Sequence, residues 1–328
     1  VISLSIVVPA TNVPATLDRC TAAIAAAGDT DDELLVVDGP PTLSASGARN
    51  EGAERATRDV VVFVDADVEV HRDALDRVRA AFATSPDLTA VYGSYDDTPD
   101  ARGTVSAFRN LLHHHVHQAG AGPAETFWTG LGAVRRPAFL AAGGFDEHRY
   151  PHPSIEDIDL GCRLVAAGAT VVLDPAIQGT HLKAWTLRSM LWTDFARRGV
   201  PWVALQMRSR RVSATLNCGW RHRLSAASSA LGVVFAAVGL PVLAVLAVGA
   251  LVGLNRAFYL LLARQLGLVP AAAGVVLHGV HHLVSMAAIP VGVLVALRAW
   301  VLSSAQSRAR AAEPASVGAG AARGRLAR

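Results

Sequence analysis

Val60-Val61-Val62-Phe63-Val64 is an unbroken apolar run that passes directly into Asp65-Ala66-Asp67. Such a run reads as a buried strand, and open α/β sheets bind their ligands at the carboxyl ends of strands. In extended backbone, positions i and i+2 face the same side. If extension persists past Val64, Asp65 and Asp67 therefore present their carboxylates together. Paired hard oxygen ligands suit Mg²⁺ or Mn²⁺, and such an ion commonly carries a substrate's phosphates. The same Asp-x-Asp spacing recurs at Asp29/Asp31 and Asp157/Asp159, so its place after an apolar strand is what singles out the pair at 65 and 67.

The segments around that strand predict its surroundings. Ser3 to Val8 reads as a first strand closed by Pro9, and Thr16 to Ala27 as a helix. Leu34 to Val37 is a second strand that stops at Asp38-Gly39-Pro40, and Ser44 to Ala56 a second helix carrying Arg49-Asn50-Glu51-Gly52. Strand and helix alternate up to Val64, which predicts an α/β fold with a mostly parallel, nucleotide-binding sheet flanked by helices. No Gly-x-Gly-x-x-Gly follows the first strand and no Walker sequence occurs, so a dinucleotide site and a P-loop are both excluded. Further on, Asp73 to Ala83 and Thr104 to Gln118 read as helices, and Thr170 to Leu173 as a short strand. Ser154-Ile155-Glu156-Asp157 has the spacing of a capping box, with Ser154 as N-cap and Asp157 at the third helical position.

Composition divides the chain. Residues 225 to 254 and 270 to 297 contain no Asp, Glu, Lys or Arg, and each exceeds the roughly 20 apolar residues that span a bilayer. These two stretches, with an interfacial helix at about 255–267 between them, define an expected membrane domain over residues 216–304. A catalytic domain is expected over 1–215 and a disordered basic tail over 305–328. Arg208, Arg210, Arg211, Arg221 and Arg223 precede the first stretch, while Arg298, Arg308 and Arg310 follow the second. The positive-inside rule then predicts a multi-pass protein of the cell (inner) membrane with both flanks and the catalytic domain cytoplasmic. Two spans are the simplest count, although Pro241 inside the first stretch also permits a re-entrant hairpin. Val1 to Val8 is too short and too strand-like for a signal peptide. The net charge of +3 lies mostly beside the apolar stretches, which argues for lipid and against nucleic acid. Cys20, Cys162 and Cys218 are odd in number and lack zinc spacing, which suits a reducing compartment.

Taken in order, Ser5-Ile6-Val7-Val8-Pro9, Val36-Val37-Asp38, Ala48-Arg49-Asn50-Glu51-Gly52, Phe63-Val64-Asp65-Ala66-Asp67, Gly143-Gly144-Phe145-Asp146-Glu147, Glu156-Asp157 and His181 resemble the landmarks of glycosyltransferase family 2. The likeness is to GT-A enzymes of the membrane-anchored bacterial type, and it covers about residues 3 to 200. It implies inverting transfer of a sugar from a nucleotide-diphosphate donor to an acceptor hydroxyl. Donor binding would then fall to Pro9, Asp38, Arg49, Asp65 and Asp67, with Asp38 at the nucleoside and Asp65 near the ribose or metal. Mg²⁺ or Mn²⁺ would be held by Asp67 and His181. Asp157, next to Glu156, would be the base that takes the acceptor proton, and Trp128 and Gly130 would line the acceptor. Two departures stand out. Asp38 is followed by Gly39-Pro40-Pro41 and not by a second acidic residue and a serine. Arg197-Arg198-Gly199-Val200-Pro201-Trp202 stands near, but does not match, the Gln-x-x-Arg-Trp of processive synthases. Single-sugar transfer to a lipid or glycan acceptor is therefore favoured over a processive polysaccharide synthase subunit.

Other features admit two readings each. His113 and His117 share a helical face without a carboxylate partner, so an amphipathic helix near acceptor or membrane is favoured over a metal site. His278, His281 and His282 fall in the second apolar stretch, as functional groups or as packed neutral rings. Trp128 either stacks on a sugar or fills core. Lys183, Arg188 and Arg197 are all candidates for the diphosphate. From other classes, a catalytically silent nucleotide-sugar-binding membrane scaffold does not need a base such as Asp157, and a nucleotidyltransferase lacks its phosphate loop here.

Overall fold

The structure is a computed structural model that describes residues 2–209 and 219–312. Three parallel strands open it: β1 (Leu4–Pro9), β2 (Glu33–Val37) and β3 (Val60–Val64). They are linked by helices α1 (Leu17–Ala27) and α2 (Ala45–Arg55). The central strand pairs with both neighbours, Ser5 opposite Glu33 and Val61, so the carboxyl ends of all three lie side by side. The apolar run of β3 is buried throughout. This satisfies the expectation, since an unalternating strand needs apolar cover on both faces. One face packs Val60, Val62 and Val64 with Ile6 and Val8; the other packs Val61 and Phe63 with Phe139 and Phe145.

After β3 the sheet becomes mixed. β4 (Val68–Val70), α3 (Ala74–Thr84), β5 (Leu88–Tyr95), α4 (Thr104–Ala119), β6 (Gly122–Pro123), β7 (Leu131–Arg135), α5 (Arg136–Ala141), α6 (Glu156–Ala166) and β8 (Thr170–His181) complete the α/β unit. Strand order is β2-β1-β3-β7-β5-β8-β4, with β6 alongside β8. β7 is antiparallel to β3 and β5, and β4 to β8, while β5 and β8 run parallel. β8 extends to His181, well past the Leu173 at which the sequence predicts its end. That extension is what carries His181 to the edge of the site.

The remaining helices are α7 (Leu187–Trp192), a π-helix (Thr193–Gly199), α8 (Val200–Ser209), α9 (Trp220–Ala237), α10 (Pro241–Leu254), α11 (Arg256–Leu266) and α12 (Leu268–Ala312). Here the structure gives less than the multi-pass expectation: one unbroken candidate span among the described residues, and a second only if the bent pair α10–α11 counts as one. The first apolar stretch is not one span, because the chain turns at Gly239, whose φ is +76°, and restarts at Pro241 as the first residue of α10. α9 and α10 pack against each other as a helical hairpin, the alternative that Pro241 permits. α11 stands where an interfacial helix is expected and is bent 77° from α10. One helix, Leu268–Ser304 within α12, is long and apolar enough by itself to cross a membrane. α12 also continues helically to Ala312, into the segment expected as a disordered tail; residues 313–328 lie outside the described residues, as do Arg210, Arg211 and Cys218.

α12 does not stand apart from the α/β unit. Phe108, Leu111 and Leu112 of α4 pack on Phe258 and Leu262 of α11 and Ala271 of α12. Buried Asp194 of the π-helix pairs with Arg109 of α4 at 2.8 Å and with Nδ1 of His281 on α12 at 2.8 Å. His278 is likewise engaged, its Nδ1 2.9 Å from the Tyr259 hydroxyl. These rings are packed between helices, as one of the two readings has it.

Candidate active site

The site forms where the carboxyl ends of β1, β2 and β3 meet the amino end of α6. Pro9 ends β1 opposite Val37, and exposed Asp38 follows Val37 directly, so both lie on the β1–β2 side of the opening. Beyond Val64 the backbone does not stay extended. It turns, with the Val68 amide donating to the Asp65 carbonyl at 2.9 Å, and the two carboxylates take different partners, Arg49 for Asp65 and His181 for Asp67. Each remains accessible, Asp65 with 29% and Asp67 with 27% of its side chain exposed.

Asp65 is held by α2. Arg49 donates to its carboxylate at 2.6 Å and, with the same guanidinium, to Glu156 at 3.2 Å. A planar fork of this kind joins two carboxylates in fixed geometry, which a lysine cannot do. α2 is placed for the task by the residues around Arg49. Gly52 lies so close to Val7 that a Cβ would stand 2.3 Å from it. Asn50 exchanges two hydrogen bonds with the Phe145 backbone, at 2.8 and 2.9 Å. Gly144, at φ +63°, makes that docking possible, so the two landmarks around Asn50 and Phe145 are the halves of one contact.

Asp67 faces His181 across the β4–β8 ladder, with 3.6 Å between carboxylate and Nε2. His181 is fixed by Asn110 of α4 at 2.6 Å on Nδ1 and by stacking on Tyr95 at 4.2 Å. Burial alone would raise the Asp67 carboxyl, but the facing His181 and the charge of Lys183 outweigh it and hold the group below its ordinary range. An ionised carboxylate and an imidazole at the mouth fit a small divalent cation that completes its shell with phosphate and water. Among the described residues no three His, Cys, Asp or Glu side chains converge on one point, so the protein offers a partial ligand set.

α6 brings the other carboxylates, and here the capping box does not form. The N-cap is Ile155, and the Ser154 hydroxyl donates to the Arg197 carbonyl at 2.5 Å. Glu156 is 4% exposed and has both oxygens engaged, one by Arg49 and one by the Ser154 amide at 2.7 Å. It is a brace between α2 and α6 and not a group free to react. Asp157 accepts from the Ile158 amide at 2.8 Å and, at 3.4 Å, from the Thr129 amide beside Gly130. Burial, and then the negative charge of Glu156, push its carboxyl up to about 7 against the opposing pull of Arg49. A carboxyl poised there takes a proton near neutral pH.

Gly130 accepts from the Asp65 amide at 3.2 Å, so the loop of Trp128, Thr129 and Gly130 joins Asp65 to Asp157. The Trp128 ring lies over Gly130, where a Cβ would stand 2.2 Å from it. Half-buried Trp128 also packs edge-on to Tyr95 at 4.9 Å and against His113 at 4.6 Å. α4 thus turns one face to α11 and α12 and another, Asn110, His113 and His117, to the site. Burial pushes both imidazoles down, His117 to about 4, so both are neutral. Tyr95, Asn110 and Arg198 carry no motif that marks them in the sequence. Arg198, exposed on the π-helix, sends its charge toward Asp157, Tyr95 and His113.

Comparison with known proteins bears on the family and the fold. Residues 41–140 match the family model described as Glycosyl transferase family 2. A pre-mycofactocin glycosyltransferase of Mycobacterium tuberculosis, found in two strains, is 28% identical over 171 residues, 49% of this chain and 36% of that protein. The match thus spans about a third of the curated relatives' length. Among solved structures, the mannosyltransferase PcManGT from Pyrobaculum calidifontis in complex with GDP-Man and Mn²⁺ superposes with a TM-score of 0.51 at 16% identity, over 90% of this chain and 86% of that one. GalNAc-T7 with UDP, GalNAc and Mn²⁺ gives a TM-score of 0.44 at 12% identity, over 63% and 48%. The fold is therefore of the GT-A class. Together the family match over residues 41–140, the curated relative and the shared fold support a family 2 glycosyltransferase.

Proposed function

We propose that the chain is an inverting glycosyltransferase that moves a sugar from a nucleotide-diphosphate donor to a hydroxyl on a lipid-linked acceptor at a membrane surface. The observation that carries this reading is the bridge Asp65–Arg49–Glu156, which fixes donor-side carboxylates and the Asp157 end of α6 around one opening. Pro9 and Asp38 border the nucleoside side. Asp67 and His181 would hold the divalent cation, whose charge would offset that growing on the departing diphosphate. Lys183, exposed two residues beyond His181, and Arg198 supply further positive charge there. Asp157 takes the acceptor proton as the acceptor oxygen bonds to the anomeric carbon. The bond from that carbon to the diphosphate oxygen breaks, and its electron pair leaves with the diphosphate. One such displacement inverts the centre. Trp128 and Gly130 form the acceptor platform.

A membrane location is supported by α12 and by the exposed apolar residues of the α9–α10 hairpin, among them Leu231, Val234, Val242 and Leu246. The solved mannosyltransferase carries GDP-Man and Mn²⁺, so GDP-mannose with Mn²⁺ heads the donor panel to be scored by nucleotide release. Asp67→Ala abolishes the metal-dependent part of donor binding, and equal affinity with and without Mn²⁺ in the parent chain would sink the assignment. Asp157→Asn keeps donor affinity and loses transfer, and near-normal turnover would remove it as base.

A further inference from the structure

Two adjacent arginines leave the π-helix in different directions. Arg198 sends its charge into the catalytic opening, whereas Arg197 lines a separate cleft of about 230 Å³. That cleft lies between the loop before α6, the π-helix with α8, and α12. Arg149, His152, Arg197 and Arg208 bring cationic or titratable groups to it, and Val295 brings the apolar surface of α12.

The charges in this corner do not balance. Asp159 is buried and contacts three guanidiniums, Arg163 at 2.9 Å, Arg208 at 3.6 Å and Arg149 at 3.9 Å. Asp146 takes Arg149 at 3.1 Å. Arg197 has no ion pair among the described residues, and its carbonyl alone is engaged, by Ser154. Four guanidiniums therefore face two carboxylates, and no carboxylate lines the cleft itself. A half-buried cation without a counterion is unfavourable unless an anion completes the site. The apolar wall narrows the choice of anion. Val295 belongs to the one unbroken helix among the described residues long enough to cross a membrane, and Val291, Leu294 and Leu297 beside it are exposed.

We infer that this cleft binds the phosphate headgroup of an anionic membrane lipid, with the phosphate at Arg197 and Arg208 and the acyl chains along α12. The site is distinct from the donor and acceptor positions. It rests on the membrane placement proposed above. Ser154 connects the two regions, since its hydroxyl holds the Arg197 backbone and its amide holds Glu156.

The test uses the full chain in mild detergent and counts retained lipid by native mass spectrometry. The probes are dioleoylphosphatidylglycerol, dioleoylphosphatidylcholine and soluble glycerol phosphate. Phosphatidylglycerol is retained about tenfold over phosphatidylcholine, and Arg197→Gln removes that preference, as expected for the loss of one charge-assisted contact to phosphate. Arg72→Gln, on a distant loop, keeps it. Val295→Glu, which places a negative charge on the opposite wall, gives the same loss should Arg197→Gln fold poorly. Equal retention of the two lipids, or full preference in Arg197→Gln, overturns the assignment. So does saturation by glycerol phosphate without phosphatidylglycerol binding, which identifies a soluble phosphate as the occupant. Flotation with vesicles separates the two readings. A chain that floats equally with neutral and anionic vesicles retains its membrane placement and loses this site, and one that floats with neither loses both.

Discussion

Asp157→Asn is the substitution in which stability and activity pull apart. The Asp157 carboxyl sits at about 7, raised first by burial and then by Glu156, whereas an unfolded aspartate ionises near ~3.9. Between those values the folded chain binds the proton and the unfolded chain does not, so stability falls as pH rises from about 4 to about 7 and is level beyond. Three units at ~1.4 kcal/mol each set a ceiling of about 4 kcal/mol. Partial exposure and the shared field of Arg49 and Glu156 reduce this to roughly 2 kcal/mol. Asparagine is neutral throughout and keeps one of the two amide hydrogen bonds through its own oxygen. The variant is therefore more stable than the parent by roughly 2 kcal/mol at pH 8 and by a minor fraction of that at pH 5. In a chain of this size that is about 4 °C in melting temperature. Melting both proteins at the two pH values, with sugar transfer measured in parallel, checks the argument. The parent's kcat/KM rises with pH up to about 7, and the variant is inactive throughout. An offset in melting temperature that is the same at pH 5 and pH 8, or a loss of stability at pH 8, refutes the account of Asp157 as a strained base.

Three further outcomes follow from the same geometry. Arg49→Met leaves buried Glu156 without its cation, and denaturant melts should show a loss of about 3–5 kcal/mol, while Arg49→Lys recovers less than half because one ammonium cannot serve both carboxylates. Gly130→Ala drives a methyl into the Trp128 ring, so transfer should fall more than donor affinity, with a stability cost of about 1–3 kcal/mol; equal effects on both would place Trp128 outside the acceptor path. Asp194→Asn strands buried Arg109, whose guanidinium burial already draws down to about 10, and limited proteolysis should then release α12 from the α/β unit faster than from the parent chain.

What was legible in the sequence is what the backbone alone dictates. β1, β2, β3, α1 and α2 lie within a residue of their expected bounds, because apolar runs and turn residues decide them locally. Pro9, Asp38, Asp65, Asp67, Asp157 and His181 also come out at one end of the sheet. The losses begin where pairing depends on distant partners. β7 begins within the aromatic and glycine-rich segment Phe127 to Gly132, and its own residues show no alternating strand pattern. It becomes a strand through antiparallel pairing with β3 and β5. The capping box fails for a related reason. Ser154 has the right spacing from Asp157, but Arg197, 43 positions along the chain, offers its hydroxyl a carbonyl instead.

The two aspartates after β3 show how far one motif can carry an argument. Their spacing suggests a pair on one side of an extended strand, yet the backbone turns between them and gives each a different partner. Asp65, through Arg49, is tied to the helix that presents Asp157; Asp67, through His181, is tied to Tyr95 and α4. A turn here separates two tasks that a straight strand would have superimposed. Asp65 transmits position, since its charge is already answered by an arginine, while Asp67 keeps an ionised carboxylate facing an imidazole and the more distant charge of Lys183. Under the proposed function, a cation arriving with a diphosphate would therefore meet its strongest protein ligand at Asp67. The prediction that Asp67→Ala removes metal-dependent binding, while Asp65→Asn chiefly loosens α6 and slows transfer, follows from that division of partners.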